Sequence, residues 1–216
     1  MIDLFYWPTP NGRKISILLE ELEVKYKLIK IDINKGEQFK DNFTTISPSN
    51  KIPAIIDHEN NQYMFESGAI LLYLAKKYNR FLPNKHYWEI LKWLMFQSSQ
   101  VGPLLGQAHQ FLYYHTGQSP FAEEKYINYA KRIYGTLEMR LENKDYLVHD
   151  YSIVDIATWP WIARHERHKI NIHNYQNVLR WYKSISKRPA VIKGYNPDGG
   201  NETIPLSQSL SNNNND

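Results

Sequence analysis

The chain has 216 residues, 42% of them hydrophobic, and its 26 lysines and arginines against 22 acids give a net charge of +4; this excludes a disordered chain and leaves room for two small domains or one larger one. The charges are interspersed without a Lys/Arg block, and no apolar stretch approaches the roughly 20 residues of a membrane helix, so neither a nucleic-acid stripe nor a membrane span is expected. There are no cysteines, which excludes disulfides, thiolate metal sites and a protein thiol nucleophile, so any thiol chemistry must use a thiol brought by a ligand.

Met1 to Trp7 opens directly on a strand-like run, with no secretory signal before it, and a cytoplasmic protein is expected. Ile2 to Tyr6 is a short apolar strand ended by Pro8-Thr9-Pro10-Asn11-Gly12, whose prolines and glycine mark a loop. From Arg13 to Leu22, the apolar Ile15, Leu18, Leu19 and Leu22 share one helix face, with Asn11 at the N-cap place. Ile29-Lys30-Ile31-Asp32-Ile33 alternates as a strand does. Ala54-Ile55-Ile56, following Pro53, reads as a buried strand joined by the turn-rich His58 to Gln62 to Tyr63-Met64-Phe65. A helix then runs from Glu66-Ser67-Gly68 to about Lys77, capped by the Ser67 hydroxyl. The order β-α-β, a connection, then β-β-α predicts a small α/β layer over residues 1–80.

Asn79 to Tyr87 reads as a linker, and beyond Trp88 the strand signals vanish. Ile90, Leu91, Leu94 and Met95 have helical spacing, and Gly102-Pro103 and Gly106 are expected to break or kink that helix. A long helix is predicted over Phe121 to Leu141. Ser152-Ile153-Val154-Asp155 resembles a capping box with an aspartate in the acid position, opening the apolar Ile156 to Ile162. Asn177 to Lys187 is a last helix stopped by Pro189. An all-helical domain over 87–195 and a polar, disordered tail over 196–216 follow.

Two helices start directly after strands, at Asn11-Gly12 and at Ser67-Gly68, and such starts present unpaired N–H groups that suit carboxylates or thiolates. From the pattern alone, simple capping is the preferred account of both. Lys51-Ile52-Pro53 adds that a cis Ile52–Pro53 bond would expose the Ile52 backbone for pairing with an extended peptide ligand.

The strings Pro8-Thr9-Pro10-Asn11-Gly12, Ser47-Pro48-Ser49-Asn50-Lys51-Ile52-Pro53-Ala54 and Phe65-Glu66-Ser67-Gly68-Ala69-Ile70-Leu71-Leu72-Tyr73-Leu74 resemble the glutathione site of cytosolic glutathione transferases. The nearest resemblance is to the nu class, which includes bacterial glutathione-dependent disulfide-bond oxidoreductases and is related to a fungal nitrogen-regulating prion protein. Tyr151 to Ala157 resembles the family's helical capping box, and the similarity extends from Met1 to about Pro189. It implies a thioredoxin-like N-terminal domain, an all-helical C-terminal domain, a homodimer, and glutathione as bound co-substrate without a metal.

The resemblance also implies roles. Glu66 and Ser67 hold the γ-glutamyl end, the Ile52 backbone pairs with the cysteinyl unit, and Lys51 and Gln38 meet the glycyl end. Thr9 and Asn11 sit beside the sulfur, and Arg132 matches a family arginine near a second glutathione. Tyr6 rivals Thr9 as thiol activator, because some transferase classes use a tyrosine near the end of the first strand. A second-substrate pocket is expected between the domains, with Gln107, His109, Phe111, Tyr113 and Tyr114 as candidate lining and aromatic core packing as the simpler account of most. His165, His168 and His173 match no zinc signature, and Trp159, Trp161 and Trp181 read as core. The leading expectation is a glutathione-dependent disulfide oxidoreductase. The alternatives are a conventional glutathione S-transferase acting on electrophiles and a non-catalytic regulatory or binding protein of the same fold.

Overall fold

In the computed structural model, which describes residues 1–206, the chain divides into two units, residues 1–83 with 189–202 and residues 84–188 with 203 onward. The first is an α/β layer. Its four-stranded sheet has the order β2-β1-β3-β4, from β1 (Ile2–Tyr6), β2 (Tyr26–Lys30), β3 (Ala54–Asp57) and β4 (Gln62–Phe65). β1 runs parallel to β2 and antiparallel to β3, and β3 and β4 form an antiparallel hairpin. This is the thioredoxin-like arrangement that the sequence predicts. β2 ends at Lys30, three residues short of the alternating run, because the Asp32 side chain accepts from Asn34 N–H at 3.0 Å and starts a short 3₁₀ turn.

Helix α1 (Pro10–Glu21) begins one turn earlier than its apolar periodicity suggests, with Thr9 as N-cap in place of the expected Asn11. Thr9 has extended backbone angles, its hydroxyl accepts from Gly12 N–H at 3.2 Å, and Pro10 falls in the first turn, where its missing N–H costs nothing. A short α2 (Asp41–Thr44) carries the buried Phe43, which joins Phe5, Ile31 and Ala54 in an apolar cluster beneath the loops. Helix α3 (Ser67–Lys77) packs against α1.

In the second unit, α4 (Tyr87–Phe96) and α5 (Gly102–His109) belong to one helical run rather than a broken one. A π-helical turn at Gln97–Val101 lies between them, just before Pro103, and another at Gln110–Tyr114 follows. Gly102 and Gly106 face the Trp161 ring, where an added Cβ would lie 3.8 and 3.5 Å from it. Helix α6 (Pro120–Arg140) spans the long predicted helix, and α7 (Ile153–Ile162) is buried on every side, as a central helix must be. Trp159, Trp161 and Trp181 are core residues. The start of α8 (Gln176–Ser186) is capped from another helix, since the Glu138 carboxylate of α6 accepts from the Asn177 and Val178 N–H groups at 3.0 Å each.

Pro189 does not end the helical structure; it opens α9 (Pro189–Tyr195), which packs on α1 in the first unit. The boundary at 195 therefore shifts: 189–202 belong with the first unit. Of the expected disordered tail, residues 196–206 are held: Asp198 pairs with Lys30 at 2.8 Å, Glu202 with Arg13, and Ile204 is buried. Residues 207–216 lie outside the described residues.

The contact of α9 with α1 depends on Gly194. A Cβ built there would lie 2.6 Å from the Ile17 Cα and 2.7 Å from its N, and Ser16 donates to the Gly194 carbonyl at 2.6 Å. Backbone cannot yield as a flexible side chain does. Gly194→Ala is expected to destabilise the protein by about 3 kcal/mol, at the upper end of overpacking costs. Denaturant unfolding checks this, and a loss below about 0.5 kcal/mol would rule out the close approach.

Candidate active site

The sheet register gathers the predicted residues of the first unit. Tyr6 pairs with Lys30, Phe5 with Ala54 and Ala54 with Phe65. Hence the segments leaving β1 (8–11), leaving β2 toward Gln38, entering β3 (51–53) and leaving β4 (66–67) all emerge at one end of the sheet. Thr9, Asn11, Gln38, Lys51, Ile52, Glu66 and Ser67 sit on those segments. Arg132 belongs to the second unit, exposed on α6 with its guanidinium 4.9 Å from the Tyr129 ring centroid.

At the start of α1, Thr9 Oγ1 accepts from Gly12 N–H, so the hydroxyl keeps its own proton to donate. Gly12 is required here: an added Cβ would stand 2.3 Å from the Trp7 carbonyl oxygen. The Tyr6 ring lies beneath that glycine and is fully buried. Burial pushes its phenol up to about 12, with the Arg13 guanidinium drawing it down. Tyr6 is therefore a core residue beside Arg13.

The Ile52–Pro53 peptide is cis, and Ser47 Oγ donates to the Lys51 carbonyl at 2.8 Å. Lys51 is exposed and Ile52 half-buried against the Phe5–Phe43 cluster. The Gln38 amide oxygen is buried without a hydrogen-bond partner among the described residues.

At the start of α3 the N-cap is Glu66, with φ of +68° and ψ of +111°, and Ser67 is the first helical residue rather than the cap. A glutamate at positive φ is strained, at a cost on the order of 1–3 kcal/mol, and such residues concentrate at ligand clamps. Ser67 Oγ accepts from Lys14 Nζ at 3.2 Å. Lys14 is a buried residue of α1, and loss of solvent draws its pKa down to about 7, against the pull of the Glu66 carboxylate. The sequence reading missed Lys14 and Arg13, both of which fall on the polar side of the apolar periodicity. Arg13 is fully buried, donates from Nε to the Tyr195 carbonyl at 2.8 Å, and pairs with Glu202. Two adjacent cationic side chains within the second turn of a helix were the available signal.

In the second unit, His109 is part of a buried stack. Its ring lies 4.7 Å from His168, and burial draws its pKa down to about 3. Phe111 stacks on Tyr126 at 5.3 Å. Tyr113 and Tyr114 are exposed, and Arg167 sits over the first and donates to the hydroxyl of the second at 3.2 Å. His165 and His168 are taken up by the Ile170 carbonyl and the Tyr134 hydroxyl. Among the described residues no helix is long and apolar enough to cross a membrane.

These features agree with what known proteins show. The model of the glutathione S-transferase N-terminal domain matches residues 2–76, and that of the glutathione S-transferase C-terminal domain matches residues 107–189. The disulfide-bond oxidoreductase YfcG of Escherichia coli is 46% identical over 199 residues, spanning 88% of this chain and 93% of that protein. Protein URE2 of Meyerozyma guilliermondii is 35% identical over 232 residues, spanning 88% and 77%. A crystal structure of a glutathione transferase from Pseudomonas putida, with one glutathione disulfide bound per subunit, superposes with a TM-score of 0.85 at 35% identity, covering 90% of each chain. The chain thus belongs to the glutathione transferase family, with both its thioredoxin-like and its helical domain.

Proposed function

We propose that the protein is a cytoplasmic, homodimeric, nu-class glutathione-dependent disulfide oxidoreductase in which bound glutathione is the nucleophile. The observation that carries the reading is the start of α1: Thr9 has a hydroxyl proton to spare at a helix N-terminus, in a chain that has no cysteine of its own. A hydroxyl donor and the positive helix end both favour a thiolate over a thiol. The 46% identity to a disulfide-bond oxidoreductase favours disulfides over organic electrophiles as the second substrate.

The chemistry is two exchanges. Glutathione loses its proton to solvent, and its thiolate attacks one sulfur of the disulfide; an S–S bond forms to glutathione as the substrate S–S bond breaks and a thiolate leaves. A second glutathione thiolate attacks the glutathione sulfur of the mixed disulfide, giving glutathione disulfide and releasing the second substrate thiolate. Both leaving thiolates take protons from solvent, so two glutathiones are oxidised for one disulfide reduced. In this reading Thr9 and Asn11 serve the sulfur, Glu66 the γ-glutamyl ammonium, Ser67 its carboxylate, the Ile52 backbone the cysteinyl unit, and Lys51 and Gln38 the glycyl end. The strained Glu66 supports its assignment. Arg132 would serve a second glutathione. The exposed Tyr63 and Phe65 of the edge strand β4 offer an apolar surface for the dimer.

The deciding experiment is reduction of hydroxyethyl disulfide by glutathione, run beside conjugation of chlorodinitrobenzene on one preparation. Fast disulfide turnover with slow conjugation is expected. The reverse would make the protein a conventional transferase, and inactivity in both with glutathione still bound would make it a binding protein. Ser67→Ala and Glu66→Ala should each raise the KM for glutathione about 10-fold, the loss of one charge-assisted hydrogen bond, with kcat nearly unchanged. A fall in kcat alone would remove both residues from the binding role.

A further inference from the structure

Three side chains of the helical unit that take no part in the glutathione reading converge on one point: His86, Glu89 and His149. His86 is the N-cap of α4 and Glu89 its third residue, so the two stand three apart across the first turn. His149 comes from a distant piece of chain, the loop between α6 and α7. One donor atom from each, an imidazole nitrogen or a carboxylate oxygen, lies within 4.8 Å of the other two. The His86 and His149 rings stack with centroids 3.9 Å apart and 21° between their planes. His149 Nε2 lies 3.5 Å from Glu89 Oε2. Two ligands of one tetrahedral zinc ion, each at about 2.1 Å from it, stand about 3.4 Å apart, so this pair already has ligand spacing. A turn of the His86 side chain, which is only half-buried, brings in the third ligand.

The second carboxylate oxygen fixes the direction of the first. Arg140 of α6 donates from its guanidinium to Glu89 Oε1, and its Nε donates to the Leu147 carbonyl at 2.6 Å. The guanidinium also lies 5.0 Å from the Trp93 ring centroid. Glu89 is thereby held with Oε2 toward the histidines, as an outer-shell partner orients a metal-ligating carboxylate. The surrounding charge is balanced. Arg140 is paired with Glu89, Lys85 and Lys92 are exposed and free to swing into solvent, and Asp150, next in the chain to His149, adds a second carboxylate beside His86. Among the described residues no hydrogen bond engages the His86 ring, so a salt bridge between Glu89 and His149 does not account for all three groups.

We propose that His86, Glu89 and His149 form a binding site for one zinc ion, with Asp150 or water as the fourth ligand, which clips the first turn of α4 to the loop before α7. Two imidazoles and a carboxylate suit zinc, whereas magnesium and calcium take oxygen ligands. The site is separate from the glutathione chemistry and does not depend on it.

Zinc chloride is the probe, added to untagged, metal-stripped protein without glutathione, whose thiol would itself take the ion. Calorimetric titration should give one zinc per chain with a Kd below about 50 µM, and no comparable binding of magnesium. Long-range imidazole 15N spectra identify the ligands: of the eight histidines, His86 and His149 should shift on addition of zinc. His149→Ala removes a side chain that is 59% exposed, so the fold should be kept while zinc affinity falls at least about 10-fold. Glu89→Gln keeps an amide oxygen for Arg140 and should also weaken zinc. Weaker binding by the wild type overturns the proposal, as does unchanged affinity in His149→Ala. So does a shift confined to other histidines, such as His58, which pairs with Asp3 at 3.0 Å.

Discussion

Thr9→Ala is expected to lower kcat for disulfide reduction about 100-fold while changing the glutathione KM by no more than about threefold. The asymmetry follows from where the hydroxyl points. Thr9 Oγ1 accepts from Gly12 N–H, and in the proposed mechanism its own proton serves the sulfur. A hydrogen bond to a thiolate is worth more than one to a thiol, so its loss falls on the reactive form and hardly on ground-state binding. The pH–rate profile supplies a second readout: its acidic limb should move up by about one unit, as the bound thiol becomes harder to ionise. The alanine also removes an N-cap, costing about 1 kcal/mol of stability. Thr9→Ser, which keeps both cap and proton, separates the two effects and should retain most of the activity. Tyr6→Phe is the control. Tyr6 is buried beneath Gly12 with its phenol pushed up to about 12, so turnover should stay within about threefold. Full turnover in Thr9→Ala together with a dead Tyr6→Phe would reverse the assignment.

The fold was legible where local patterns determine it. The β1, β3 and β4 runs, the length of α6 and the capping box of α7 follow from alternation, helical spacing and caps, all local signals, whereas α3 starts where expected but with Glu66 in place of Ser67 as its cap. The misread places are those settled by distant chain. The spacing of Ile15, Leu18, Leu19 and Leu22 marks one face of α1 as apolar and leaves Arg13, Lys14 and Ser16 on the other. In the structure all three are buried: α9 and the segment after it meet Arg13 and Ser16, and the start of α3 meets Lys14. Nothing near residue 13 announces a partner at residue 195 or 202. The same contact explains α9 itself: Pro189 reads as a stop, yet it fits a first helical turn, and Gly194 permits the approach that holds the helix in place. Of the candidate site, the loop residues were readable from motif strings, while Lys14 was hidden because a lysine in a helix is ordinarily solvated.

The largest effect on folding should come from Asp155→Ala. The Asp155 carboxylate is fully buried and accepts from four donors. Leu147 N–H and the Trp181 indole meet Oδ1 at 2.9 and 2.8 Å, and the Ser152 N–H and hydroxyl meet Oδ2 at 3.0 and 3.2 Å. It thus ties together the loop before α7, the cap of α7 and a tryptophan of α8. Burial pushes the carboxyl up to about 6 and the four donors counter it, so at neutral pH it is an anion able to accept from all of them. Alanine would leave two backbone N–H groups and an indole N–H buried without partners, each costing about 1–3 kcal/mol, and a small void besides. Partial relaxation makes the total less than the sum, about 4 kcal/mol, a large share of the 5–15 kcal/mol typical of a folded protein. Asp155→Asn keeps the volume but turns an NH2 toward donors, and should cost about half as much. Denaturant unfolding at pH 7 measures both. Because Asp155 lies in the helical unit, far in sequence from every glutathione-binding candidate but Arg132, whatever fraction of Asp155→Asn folds should keep a normal KM for glutathione. A Tm equal to wild type in Asp155→Ala would mean that water satisfies the four donors, and that the capping box is a local motif rather than the link among three segments of the domain.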